Sequence, residues 1–124
     1  MNNLLQHYQN GRYDDAEKLA LSITKEFAEN QFGWSILGAT LKNIGRISES
    51  LAAFQKCVQL APQNAVAHNN LGLTLQELGR LEEAEASYNQ AIALKPDLAE
   101  AHFNLGVTLQ ELGKLDKALA SYNQ

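Results

Sequence analysis

Apolar residues in this chain recur at helical spacing, and nowhere in the alternation of a strand. Between residues 66 and 78, Leu71, Leu75 and Leu78 fall four and three apart, on one face of a helix. Between 82 and 94, Ala84, Tyr88, Ala91 and Ile92 mark the inner side of a second helix. The pattern then starts again. Residues 65–90 and 99–124 agree at 19 of 26 places, with a period of 34 residues. A fixed period outranks any local signal, because it makes the chain an array of small units rather than one globule.

Punctuation follows the same register. Gly11, Gly45, Gly79 and Gly113 are each 34 apart, and Arg12, Arg46, Arg80 and Lys114 follow them. Glycine at these places suits the end of a first helix, and Pro62 and Pro96 stop the second. One domain over 1–124 therefore divides into a partial unit at 1–30, units at 31–64 and 65–98, and a unit at 99–124 that stops inside its second helix. Acidic residues stand where each second helix begins, at Asp14, Asp15, Glu49, Glu82, Glu83 and Asp116, where the helix dipole favours them. Asp97 and Glu100 are spaced as a capping box for the last unit's first helix. Gly72 and Gly106 lie inside helices at a cost of about 1 kcal/mol against Ala, which implies close approach of the partner helix there.

Composition narrows the function. Net charge is −4 and no two basic residues adjoin, so nucleic acid is not an expected partner. No apolar run approaches the ~20 residues of a membrane span, and the polar start is no signal peptide, so a cytoplasmic, membrane-free protein is expected. Cys57, the single cysteine, excludes an internal disulfide and a four-cysteine zinc site. It reads as a small buried hydrophobe. His68 and His102 recur without a third ligand beside them, so they read as packed, hydrogen-bonded histidines and not as a metal site; His7 stands alone. Glu77 and Glu111 are one repeat apart and read as solvated, not as an acid–base couple. No cofactor, phosphate loop or catalytic motif is present, so no enzymatic activity is expected.

The residues resemble the tetratricopeptide repeat, whose pattern is W-x2-L-G-x2-Y followed by A, F, A and P. The second unit offers Trp34, Leu37, Gly38, Leu41, Ser50, Phe54, Cys57 and Pro62. The third offers His68, Leu71, Gly72, Leu75, Ala84, Tyr88, Ala91 and Pro96; the fourth offers His102, Leu105, Gly106, Leu109, Ala118 and Tyr122. The first unit keeps Gly11, Ala16 and Ile23 but has Ala20 and Ala28 in the aromatic and proline places. The resemblance implies an all-α, right-handed superhelical solenoid of antiparallel helix pairs, with Phe54, Tyr88 and Tyr122 in the core. Helix pairs of this kind cover one another by stacking. The last apolar face has no cover, which predicts truncation from a longer array and self-association through the C-terminal end.

The resemblance also implies a concave groove, lined by the first helices, that holds a peptide or protein. Groove places are Phe32, Ser35, Ile36, Ala39, Lys42 and Asn43 in the second unit. They are Val66, Asn69, Asn70, Leu73, Gln76 and Glu77 in the third, and Glu100, Phe103, Asn104, Val107, Gln110 and Glu111 in the fourth. Asn70 and Asn104 resemble two rungs of the asparagine ladder of O-linked N-acetylglucosamine transferases, with Ile36 in the preceding place. An amide both donates and accepts, so each rung can bond a peptide backbone; helices about 8–10 Å apart meet an extended chain every third residue. A chaperone-tail clamp is not expected, since Lys42 is the one groove cation and Ser35 and Ala39 hold clamp places. Phe32 and Phe103 are candidate anchors for a partner side chain. The alternatives are the recruiting arm of a larger glycosyl- or sulfotransferase, as in the bacterial arrays this chain resembles, or a self-assembly module.

Overall fold

The computed structural model describes residues 28–122, preceded by Lys18, Leu21, Ser22, Thr24 and Lys25; side chains at 115, 116, 118 and 120 lie outside it. The expectations on His7, Gly11, Asp14, Asp15, Ala16, Ala20 and Ile23 fall outside the described residues. From residue 31 to residue 122, six helices follow one another: α1 (Gln31–Asn43), α2 (Ile47–Leu60), α3 (Ala65–Glu77), α4 (Leu81–Leu94), α5 (Ala99–Glu111) and α6 (Leu115–Tyr122). No strand occurs among the described residues. The chain forms two compact units, residues 1–61 with the α1–α2 pair and residues 62–124 with the α3–α4 and α5–α6 pairs.

Each first helix ends in the same way. Gly45, Gly79 and Gly113 adopt φ of 85°, 77° and 79°, a left-handed conformation that costs glycine no Cβ clash. The next residue then turns its N–H back on the helix. Arg46 donates to the Leu41 carbonyl at 2.9 Å, Arg80 to Leu75 at 2.9 Å and Lys114 to Leu109 at 2.7 Å. These bonds satisfy end carbonyls that would otherwise lack partners.

The starts differ from the expected capping box. Asn30 Oδ1 accepts from the Phe32 N–H at 2.8 Å, and Asn64 Oδ1 from the Ala67 N–H at 3.1 Å. The residue one period further on is Leu98, which caps α5 without a side-chain bond. Asp97 therefore lies one residue too early to cap, and Glu100 falls second in the helix rather than third. No box forms.

Within each pair, an aromatic ring from the second helix lies on a glycine of the first. A Cβ added at Gly38 would stand 2.9 Å from Phe54 Cζ, and one at Gly72 would stand 2.6 Å from Tyr88 Cε1. Gly106 meets Tyr122 in the same way. The expected close approach is thus real, and a ring fills it. In the first unit Leu37, Leu41 and Ala53 form a core on which Trp34, Ile36 and Ile44 pack. Ser50 Oγ donates to the Gly38 carbonyl at 2.7 Å beneath it. In the second unit Ala84, Tyr88 and Ala91 are fully buried, and α4 packs on both α3 and α5. Tyr122 is the exception among the core aromatics, 39% exposed, because no described helix covers it as α5 covers Tyr88.

The caps are separable from the rest of this packing. Replacing Leu98→Asn restores the missing cap and should stabilise the chain by about 1 kcal/mol, while Asn64→Ala should lose about 1 kcal/mol. Urea unfolding of the two variants checks both signs.

Candidate functional site

The surface that α3 and α5 turn outward is built from residues four, three and four apart. On α3 these are Val66, Asn70, Leu73 and Glu77; on α5, one period later, Glu100, Asn104, Val107 and Glu111. That spacing keeps each set in one stripe along its helix. Val66, Glu77, Glu100 and Glu111 are exposed, while Asn70, Leu73, Asn104 and Val107 are half-buried. Read across the two helices, the stripes make rows of amides, of apolar side chains and of carboxylates.

Residues next to the stripe hold the two helices together. Asn104 Nδ2 donates to Asn69 Oδ1 at 3.1 Å, and Gln76 Nε2 donates to Glu111 Oε1 at 3.1 Å. Asn69 is 2% exposed, so it is withdrawn from the open face on which it was expected. The reason is angular: one residue along a helix is a turn of about 100°, which aims Asn69 at α5 while Asn70 faces outward. The Asn104 amide oxygen and second N–H take no part in that bond with Asn69. The Asn70 amide makes no hydrogen bond to another described residue.

Beneath the face, Tyr88 anchors the network. Its hydroxyl donates to Gln76 Oε1 at 2.7 Å. Burial pushes the Tyr88 phenol up, a bond with Thr108 opposes this, and the charges of Glu111 and Glu77 push it further up. Thr74 and Thr108, both fully buried, donate to the carbonyls of Asn70 and Asn104 at 3.0 and 2.9 Å. The amide rungs stand on turns whose backbone is tied from below. The period marks these threonines, Thr40, Thr74 and Thr108 standing 34 apart, and the pair of Tyr and Gln twelve residues apart recurs as Tyr122 and Gln110. Tyr122 donates to Gln110 Oε1 at 3.0 Å.

The remaining candidates fall elsewhere. Phe103 is 62% exposed and stands at the edge beside Tyr122, with ring centroids 5.9 Å apart, because it holds the place of Asn69 rather than of Asn70. Lys42 and Asn43 belong to α1 in the other unit, where Asn43 Nδ2 donates to the Ala39 carbonyl at 2.8 Å. Trp34, His68 and His102 hold equivalent places. Trp34 Nε1 donates to the Ala28 carbonyl at 2.9 Å, and the two histidines bond through Nε2 to the carbonyls of Pro62 and Pro96 at 2.9 and 2.7 Å. A carbonyl only accepts, so each Nε2 carries a proton. Cys57 is buried, donates to the Gln31 carbonyl at 3.5 Å, and has its thiol pushed up to about 11 by burial.

The helix pairs and their 34-residue translation define an all-α helical-repeat protein. A family model described as TPR repeat matches residues 75–113, and two described as tetratricopeptide repeat match residues 53–86 and 33–64. The chain belongs to the tetratricopeptide-repeat family. Two crystal structures of MamA, each 26% identical, align over 99% of this chain and over 72% and 67% of theirs, at TM-scores of 0.91 and 0.90. MamA from Desulfovibrio magneticus RS-1 is similar in fold, with 22% identity over 97% of this chain and 68% of that one and a TM-score of 0.87. Comparison with curated proteins gave no match. Arrays of this family serve as protein-interaction scaffolds. No described helix is long and apolar enough to cross a membrane.

The two rungs should respond differently to mutation. Asn104→Ala leaves the buried Asn69 oxygen without its donor and should destabilise by about 1–3 kcal/mol. Asn70→Ala breaks no side-chain bond to another described residue and should stay within about 0.5 kcal/mol of the parent in thermal unfolding.

Proposed function

We propose that this chain is a non-enzymatic scaffold that holds an extended segment of a partner protein across the outward face of α3 and α5. The observation that supports this is the pair of amides, Asn70 and Asn104, one repeat apart on adjacent first helices. Each offers donor and acceptor groups toward a peptide backbone, beside the apolar Leu73 and Val107. Two neutral hydrogen bonds contribute about 1 kcal/mol each, against the ~8 kcal/mol of a micromolar complex. Most of the affinity must therefore come from burying apolar and charged groups around the amides, and binding by this face alone is weak. An array of immobilised peptides, probed with the parent chain and with Asn70→Ala, tests the reading. Peptides whose retention falls about fivefold with the variant are expected; binders that are indifferent to it contradict the reading.

A second reading concerns the edge. Phe103, Leu119 and Tyr122 are 62%, 53% and 39% exposed, and Phe103 and Tyr122 lie together. Large apolar side chains grouped in this way favour contact with a second copy of the chain. Sedimentation velocity should show the mass rising with concentration, and Phe103→Ser with Leu119→Lys should return it to that of a monomer. A mass that stays monomeric at millimolar concentration contradicts the reading.

A further inference from the structure

We propose that the buried Asn69 is a positioning residue for the Asn104 rung and that, being an amide itself, it lets that rung take a segment running in either direction. The proposal rests on the groove reading above and adds how the face treats the polarity of its partner's backbone. One bond carries it. Asn104 Nδ2 donates to Asn69 Oδ1 at 3.1 Å, from α5 to α3. Asn69 is 2% exposed and Asn104 half-buried, so the pair is largely shielded from competing water. Held in this way, Asn104 has already lost side-chain freedom that a ligand would otherwise have to freeze, which favours binding. Asn70 makes no such bond to a described residue, and one period after Asn69 its place holds Phe103. Of the two rungs, Asn104 is the supported one.

The sense of the amide sets direction. In an extended segment the N–H and C=O of one residue face the same edge, with the N–H nearer the amino end. A carboxamide can accept from the first through its oxygen and donate to the second through its nitrogen. With the Asn104 nitrogen toward α3, the segment's C=O lies on the α3 side and its amino end on the α5 side. Half a turn of the amide reverses the segment. Asn69 does not forbid that turn. Neither amide has another side-chain hydrogen bond among the described residues, so both can turn together and exchange donor for acceptor while keeping one bond. A carboxylate in the place of Asn69 only accepts, and would hold the Asn104 nitrogen toward α3 alone.

The probe is the palindromic, uncharged peptide acetyl-Thr-Ala-Val-Thr-Thr-Val-Ala-Thr-amide, with a nitroxide at its amino or its carboxyl end. Paramagnetic broadening of backbone amide resonances is read on the full chain at millimolar peptide, and titration of the unlabelled peptide gives the affinity. In the parent the two labels should broaden α3 and α5 alike. In Asn69→Asp the amino-end label should broaden α5 about fivefold more than α3, and the carboxyl-end label the reverse, since the wrong direction forfeits about one hydrogen bond. Asn69→Leu removes the acceptor and should weaken the peptide about threefold, while Asn69→Asp should restore it. Leucine fills buried space better than aspartate, so a role in packing alone would give the opposite order. A parent that already binds in one direction, an Asn69→Asp that binds in both, or an Asn69→Leu of parental affinity overturns the proposal. If the aspartate variant does not fold, the parent's pattern and Asn69→Leu decide the matter. In each of these cases a loss of affinity with Asn70→Ala leaves the groove reading standing. A peptide that fails to bind the parent, or binds Asn70→Ala equally well, overturns both.

Discussion

The structure depends on the contact between a glycine and an aromatic ring inside each helix pair. Phe54 lies on Gly38, Tyr88 on Gly72 and Tyr122 on Gly106, each at a distance that a Cβ would forbid. Glycine inside a helix costs about 1 kcal/mol against Ala. A buried aromatic side chain removes about 150–250 Å² from water, worth several times that cost even as an upper bound. The exchange favours the ring, and it sets how closely the two helices of a repeat approach. The glycine turn that follows, at Gly45, Gly79 and Gly113, then returns the chain along the partner helix.

From that contact the order passes outward to the face. In the second unit the Tyr88 hydroxyl bonds Gln76, and Gln76 bonds Glu111 on the next first helix. The buried ring is thus joined through one amide to a surface carboxylate 35 residues from Gln76. Thr108 reaches the same phenol from α5 and also ties the carbonyl of Asn104. Core packing and the geometry of the outward face are therefore one network. A change at the ring is felt at the carboxylate row, and the amide and carboxylate rows keep their register because both are anchored to the same core.

Much of this was legible in the residues. Periodic leucines place the helices, and the glycines at 45, 79 and 113 place their ends. The interior glycines announce a close approach. What the pattern concealed were the consequences of stacking. Asn69 and Asn70 adjoin in the sequence, yet one is buried against α5 and the other faces outward. Phe103 inherits the place of Asn69, so it lands at the edge beside Tyr122 rather than over the amides. The capping box at Asp97 and Glu100 does not form for a similar reason: the true caps, Asn30 and Asn64, obey the period, and the place after them holds Leu98. A subtler correspondence was present all along. Where the aromatic is Tyr88 or Tyr122, the residue twelve earlier is Gln76 or Gln110; where it is Phe54, without a hydroxyl, that residue is Lys42.

The most direct measurement is a double-mutant cycle on the ring and its glycine in the third repeat, read by urea unfolding. If the ring occupies the space that Gly72 leaves, Gly72→Ala alone lowers stability by about 1–3 kcal/mol despite the better helix propensity of alanine. In a Tyr88→Leu background that penalty should shrink by at least half, because the side chain that the new methyl would strike is gone. An equal penalty in both backgrounds would mean that Gly72 serves some purpose other than seating Tyr88, and would contradict the account.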